Sequence, residues 1–136
     1  MLEAEDDRSF LGDSAGWLAT VFALHGDTDG ARRFANLARR ISQPDDRGVE
    51  TLWRRALALV SAQDGSVEAA VRLSDEALEL MRDTDWLTAR GEALEEASTV
   101  RELVGDRAGA EAALAEARAY FERKGNVAGL RRLARR

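Results

Sequence analysis

Apolar side chains recur along this chain at steps of three and four residues in seven stretches, and turn residues separate the stretches. The first is expected over residues 10–25, where Leu11, Leu18, Val21 and Phe22 fall near helical spacing and Gly26 ends the run. Asp27 then caps a second helix whose apolar face is Ala31, Phe34, Ala35, Ala38 and Ile41. Pro44 marks the next turn, with Asp45 as the expected cap of a third helix presenting Val49, Leu52, Trp53, Ala56 and Val60. Ser66 opens a fourth, carrying Val67, Ala70, Val71, Ala77, Leu78 and Met81 on one side. Thr84 or Asp83 is expected to open a fifth, with Trp86, Ala93, Ala97, Val100 and Val104. Gly105 and Asp106 repeat the stop-and-cap device of Gly26 and Asp27, ahead of a sixth helix bearing Ala110, Ala113, Leu114, Ala117, Tyr120 and Phe121. After Gly125, Asn126 caps a short last helix with Val127, Leu130 and Ala134. No stretch alternates apolar and polar residues with period two, so the chain is expected to be all-α, with about seven helices.

The turns are two to four residues long, which places neighbouring helices antiparallel. Gly26, Gly65 and Gly105 stand 39 and 40 residues apart, and an alanine follows each by five residues, at Ala31, Ala70 and Ala110. A second set lies at Ala38, Ala77 and Ala117. Small side chains at fixed places mark close helix crossings, and a period near 40 reads as an array of helical hairpins. The order large apolar, small, aromatic, Gly-Asp, Ala, Ala resembles the tetratricopeptide repeat. It stands as Leu18, Ala19, Phe22, Gly26-Asp27, Ala31 and Ala38 in the first repeat. The second keeps Leu57, Ala58, Gly65, Ala70 and Ala77 but has Ser61 at the aromatic place, and the third recovers the pattern at Gly105-Asp106, Ala110 and Ala117. The resemblance implies a right-handed solenoid of antiparallel α–α hairpins. Its repeats would span about 10–43, 45–82 and 84–124, with a closing helix over 126–135 and an acidic, unstructured lead over 1–9.

A second likeness covers most of the chain. Val49-Glu50-Thr51-Leu52-Trp53-Arg54, Thr84-Asp85-Trp86-Leu87 and the run from Ala119 to Val127 are similar to the C-terminal repeats of large, typically actinobacterial, signalling proteins. In those proteins such repeats follow an ATPase domain and a nucleotide-cyclase or DNA-binding output domain. The likeness implies a regulatory, protein-binding role within a larger signalling or transcription-regulating protein.

Composition narrows the function classes. Of the 136 residues 45% are hydrophobic and 33% charged, and the net charge of −5 argues only for solubility. Cysteine is absent, so thiolate chemistry is excluded. No apolar run approaches the roughly 20 residues that span a bilayer. The acidic start, Glu3, Glu5, Asp6 and Asp7, does not fit a secretory signal, so a cytoplasmic location without membrane contact is expected. The one histidine, His25, lies at a helix end with no nucleophile or carboxylate constellation to complete a site, and reads as a partner of the helix dipole. Asp45-Asp46 and Asp83-x-Asp85 lack the alternating ligands of a calcium loop and read as caps. No catalytic, cofactor or metal site is expected.

Three places carry the interaction reading. In a solenoid of this type the first helices of the hairpins line a concave groove. That groove would receive Asp13 and Thr20, then Leu52, Arg55 and Leu59, then Glu92, Glu95, Thr99 and Glu102, a surface suited to a mixed or basic peptide segment. The first helix is apolar over most of its circumference, so Trp17, Val21, Phe22 and Leu24 are expected to meet upstream repeats or a second copy of the chain, as in a homodimer. The alternative of a small-ligand sensor would use Trp17, Trp53 and Trp86 to line a pocket, although such residues more often fill the space between hairpins. At the basic end, Arg131, Arg132, Arg135 and Arg136 flank Leu130, Leu133 and Ala134. They read as the polar outer face of a closing helix, with nucleic-acid binding a distant second in an acidic chain.

Overall fold

The computed structural model describes the backbone of residues 2–136 and the side chains from Asp7 onward. It is all-helical, with seven helices among the described residues: α1 (Leu2–Leu24), α2 (Thr28–Ile41), α3 (Arg47–Gln63), α4 (Val67–Met81), α5 (Leu87–Leu103), α6 (Arg107–Lys124) and α7 (Val127–Ala134). Gly26, Gly65, Gly105 and Gly125 all take positive φ, between 72° and 85°. A side chain would be strained there, so glycine ends the preceding helix in each case. Asp27, Asp106 and Asn126 then accept the amides of Gly30, Gly109 and Gly129 at 2.9 Å, satisfying donors that have no partner within the helix.

Three local readings are corrected. Residues 2–9 belong to α1 rather than to an unstructured lead. Leu, Glu, Ala and Arg propagate a helix, and acidic residues in a first turn face the positive end of its dipole. The cap of α3 is Asp46, not Asp45; its carboxylate accepts the amide of Val49 at 3.2 Å and the hydroxyl of Ser9 at 2.8 Å. α5 opens at Leu87 with Trp86 in the cap position, where no side-chain bond is made. The Thr84 hydroxyl is turned backwards instead, donating to the Met81 carbonyl at the end of α4 (2.8 Å).

α1 packs on α2, α3 on α4 and α5 on α6, each as a hairpin. The alanines of the repeating pattern are the crossing points: Ala31, Ala38, Ala70 and Ala117 are fully enclosed, and Ala77 and Ala110 nearly so. With only a methyl group at these places, helix axes approach closely and long side chains fill the flanks. One core joins α1 to α4 around Val49, Trp53, Leu59, Val60 and Leu73; a second joins α5, α6 and α7 around Leu94, Ala117, Phe121 and Leu133. The first helices also contact one another, α1 with α3 and α3 with α5, and they run in the same direction. Ser9 of α1 meets Asp46 at the start of α3, and Ala23 near the end of α1 meets Gln63 at the end of α3, at separations of 37 and 40 residues. α7 continues this row, lying beside α5 with Glu95 opposite Arg132 and Thr99 opposite Arg136, again 37 residues apart. It therefore stands where the first helix of a fourth hairpin would stand.

Candidate interaction surface

The row α1, α3, α5, α7 encloses an open hollow of about 320 Å³. Trp17, Thr20, Val21 and Leu24 of α1 form one wall, and Arg55 of α3 forms the floor. Glu92, Glu95, Glu96 and Thr99 of α5 follow, and Arg132 and Arg136 of α7 close the far side. Of the residues expected in the groove, the structure brings together Thr20, Arg55, Glu92, Glu95 and Thr99. The hollow also takes in Trp17, Val21 and Leu24, so the anticipated groove and the anticipated dimer face share one surface.

Several assignments are overturned. Leu52 and Leu59 are core residues, 4% and 1% exposed; Leu52 lies against Gly16 of α1, so the α1–α3 contact consumes the face that was expected to be open. Phe22 turns inward and stacks on Phe34 with ring centroids 5.5 Å apart, leaving Trp17, Val21 and Leu24 as the exposed members of its group. Asp13 stands near the start of α3 rather than in the hollow. Its carboxyl is held above the usual aspartate range by partial burial and then by the neighbouring Asp46 carboxylate. Glu102 lies out on the surface, 3.9 Å from Arg136. Of the apolar residues expected to pack from the closing helix, Leu133 is buried and Leu130 partly so, with Gly129 buried beside them, whereas Val127 and Ala134 face out. All four arginines are exposed, but Arg132 and Arg136 also reach across to pair with the acidic side of α5.

Charges in the hollow are matched, with one exception. Arg55 is buried between helices and pairs with Glu96, while its guanidinium lies 5.7 Å from the Trp17 ring centroid. Burial pushes the Glu96 carboxyl above its ordinary value; Arg55 opposes this by attraction and hydrogen bonding, and Glu92 and Glu95 reinforce it. Glu95, only 9% exposed, accepts from Arg132 through both oxygens: the single Nε–H is shared between Oε1 at 3.0 Å and Oε2 at 2.7 Å, and a terminal nitrogen donates to Oε1 at 2.7 Å. The Glu95 bonds hold the Arg132 guanidinium even more firmly charged, against a smaller opposing effect of burial. Arg136 donates to the Thr99 hydroxyl at 2.9 Å and lies 3.9 Å from Glu95. Among the described residues Glu92 alone of these carboxylates has no ion pair. Glu96, Arg132 and Arg136 were not foreseen as groove residues; the 37-residue register carrying Glu95 onto Arg132 is the signal that would have found the last two.

The tryptophans are not gathered around one cavity. Trp17 lines the hollow half exposed. Trp53 lies buried between Arg54 and Arg39, whose guanidinium carbons are 4.1 and 4.8 Å from its ring, and donates to Glu50 at 2.6 Å. Trp86 caps α5 at the surface. His25 donates through Nδ1 to the Val21 carbonyl at 2.8 Å, finishing the end of α1. Among the described residues no helix is long and apolar enough to cross a membrane. No family model, no curated protein and no solved structure shows a significant match to the chain.

Proposed function

We propose that the chain is a protein-interaction and regulatory module of the tetratricopeptide-like kind, a right-handed solenoid of three hairpins with a closing helix. It would act in the cytoplasm within a larger bacterial signalling or transcription-regulating protein. The observation that carries the reading is the hollow itself: an exposed apolar wall of Trp17, Val21 and Leu24 facing the unpaired carboxylate of Glu92 across a mostly neutralised floor. Such a surface offers an apolar anchor site beside one charge, the pairing that fixes both affinity and orientation of a peptide segment. Site-specific photo-crosslinking from Leu24 in the native host tests it, with exposed Arg118 of α6 as the control position. Partner adducts from Leu24 and not from Arg118 are expected. Equal adducts from both positions, or none from Leu24, would remove the reading.

A second reading is favoured by the extent of the apolar stripe on α1. Phe10, Leu11, Trp17, Leu18, Val21 and Leu24 are all between 44% and 72% exposed. Together they offer several hundred Å², on the scale of one side of a stable interface at roughly 800 Å². A homodimer through α1 predicts a concentration-dependent mass in analytical ultracentrifugation that Val21→Glu abolishes.

A further inference from the structure

α7 is eight residues long, and its apolar contacts with α5 and α6 come from three residues: Leu133 and Gly129 are buried and Leu130 is partly so, while Val127 and Ala134 face away. An isolated helix of this length has no stability of its own in water. Its attachment to α5 is electrostatic and specific. Arg132 is clamped on Glu95, Arg136 reaches Thr99 and lies 3.9 Å from both Glu95 and Glu102, and Asn126 caps the helix start behind the left-handed Gly125. In register and direction α7 imitates the first helix of a further hairpin.

We propose that the acidic side of α5 is a docking seat for a basic amphipathic helix, and that α7 is its resident, displaceable occupant. The inference rests on the reading of the chain as an interaction module, and it names the partner's chemistry. The incoming segment is a helix with arginines four residues apart, at the places of Arg132 and Arg136, and leucines on the adjoining face, at the places of Leu130 and Leu133. Charge complementarity argues for that occupant. Glu95 is nearly enclosed and would be left without a counter-charge by an apolar or acidic segment, a costly state for a buried carboxylate. Glu92 remains available to a third cation that α7 does not supply. A partner carrying one there has an advantage over the tethered helix, offsetting the high effective concentration that the tether confers.

The experiment uses the full chain and a synthetic, N-acetylated peptide of residues 126–136. Amide hydrogen exchange in Arg132→Ala/Arg136→Ala is expected to show protection in α7 falling at least tenfold, with α1 to α6 unchanged. In this variant the added peptide is expected to shift the amide resonances of Glu92, Glu95 and Thr99, and the wild type, its seat filled, is expected to show at least tenfold weaker binding. A peptide with both arginines replaced by alanine should not bind. Glu95→Gln, which alters the seat and leaves α7 intact, should reproduce the loss of protection, so the outcome does not hang on one variant folding. Protection of α7 unchanged in both variants would show that apolar contacts alone hold it and would overturn the proposal. So would a released α7 whose peptide fails to bind at α5, or equal binding by the wild type. Exchange at α5 with no partner crosslinking at Leu24 would uphold the seat while removing the wider function.

Discussion

Replacing Gly91 with alanine separates two effects of opposite sign at one position. Gly91 lies inside α5, where alanine is intrinsically better by about 1 kcal/mol. The added methyl group, however, would lie 2.5 Å from Cε1 of Phe121 and 2.8 Å from both Cδ1 and Cζ. Phe121 is fully enclosed, and its ring cannot retreat, because a Cβ at Gly129 of α7 would itself lie 2.9 Å from that ring. The ring is clamped between two glycines of different helices. Relieving the overlap requires a displacement approaching 1 Å, and overpacking of this kind costs about 1–3 kcal/mol or more. At the upper part of that range the clash exceeds the propensity gain, leaving a net loss of about 1–2 kcal/mol and a fall in Tm of roughly 3–7 °C. Thermal and urea denaturation followed by circular dichroism measure it. In a Phe121→Leu background the same Gly91→Ala change is expected to be neutral or stabilising, since the clash is gone and the propensity gain remains. A single variant as stable as the wild type, or no coupling in the double-mutant cycle, would refute the account of α5, α6 and α7 meeting at a fixed ring.

Other outcomes follow from the same contacts. Glu96→Ala is expected to destabilise by about 3 kcal/mol, because it leaves buried Arg55 without its counter-ion, whereas Arg55→Met/Glu96→Leu should lie within about 1 kcal/mol of the wild type in urea unfolding. The double variant should also lose the gain in stability that the raised Glu96 carboxyl provides as pH falls from neutral towards 4.5; a folded state that binds the proton more readily than the unfolded one is favoured by acid. Glu76 works in the opposite direction: partial burial raises its pKa, but hydrogen bonds from Arg54 and Arg72 outweigh this and lower it below 4.5. Its contribution is present above 4.5 and lost as pH falls through the folded value, so the stability gap between wild type and Glu76→Gln should close between pH 6 and pH 3; a constant gap would contradict the pairing. Ser66, in the cap position of α4, makes no side-chain bond, unlike Asp27 and Asp106 in the equivalent places. Ser66→Asp is expected to raise stability by up to about 1 kcal/mol and Asp106→Ala to lower it by at least as much, both read from chemical denaturation midpoints.

The helix content, the four glycine stops, the caps at Asp27, Asp106 and Asn126 and the enclosed alanines were legible in the sequence because each acts within a turn or two of its own position. Propensity, capping bonds and a positive φ are local properties, and they survive whatever the neighbouring helices do. Trp86 is the instructive failure. Thr84 and Asp83 had equal claim as caps of α5, and only the packing of the α4 end, where the Thr84 hydroxyl bonds back to Met81, decided that the helix begins at Leu87.

The arrangement of the surface was decided by tertiary structure. Which of two adjacent residues on a helix faces a neighbour depends on the crossing geometry of whole helices, and a rotation of one residue moves a side chain by 100°. Leu52 and Phe22 went into the core for this reason, and Val127 and Ala134 went out. The long-range register that lays α7 against α5 carried Arg132 and Arg136 from an expected outer face onto Glu95 and Thr99. The alternation of apolar and charged residues determined that this protein is a set of paired helices with greasy and charged stripes. Only the stacking of those pairs determined that the apolar stripe of α1 and the acidic stripe of α5 look into the same hollow.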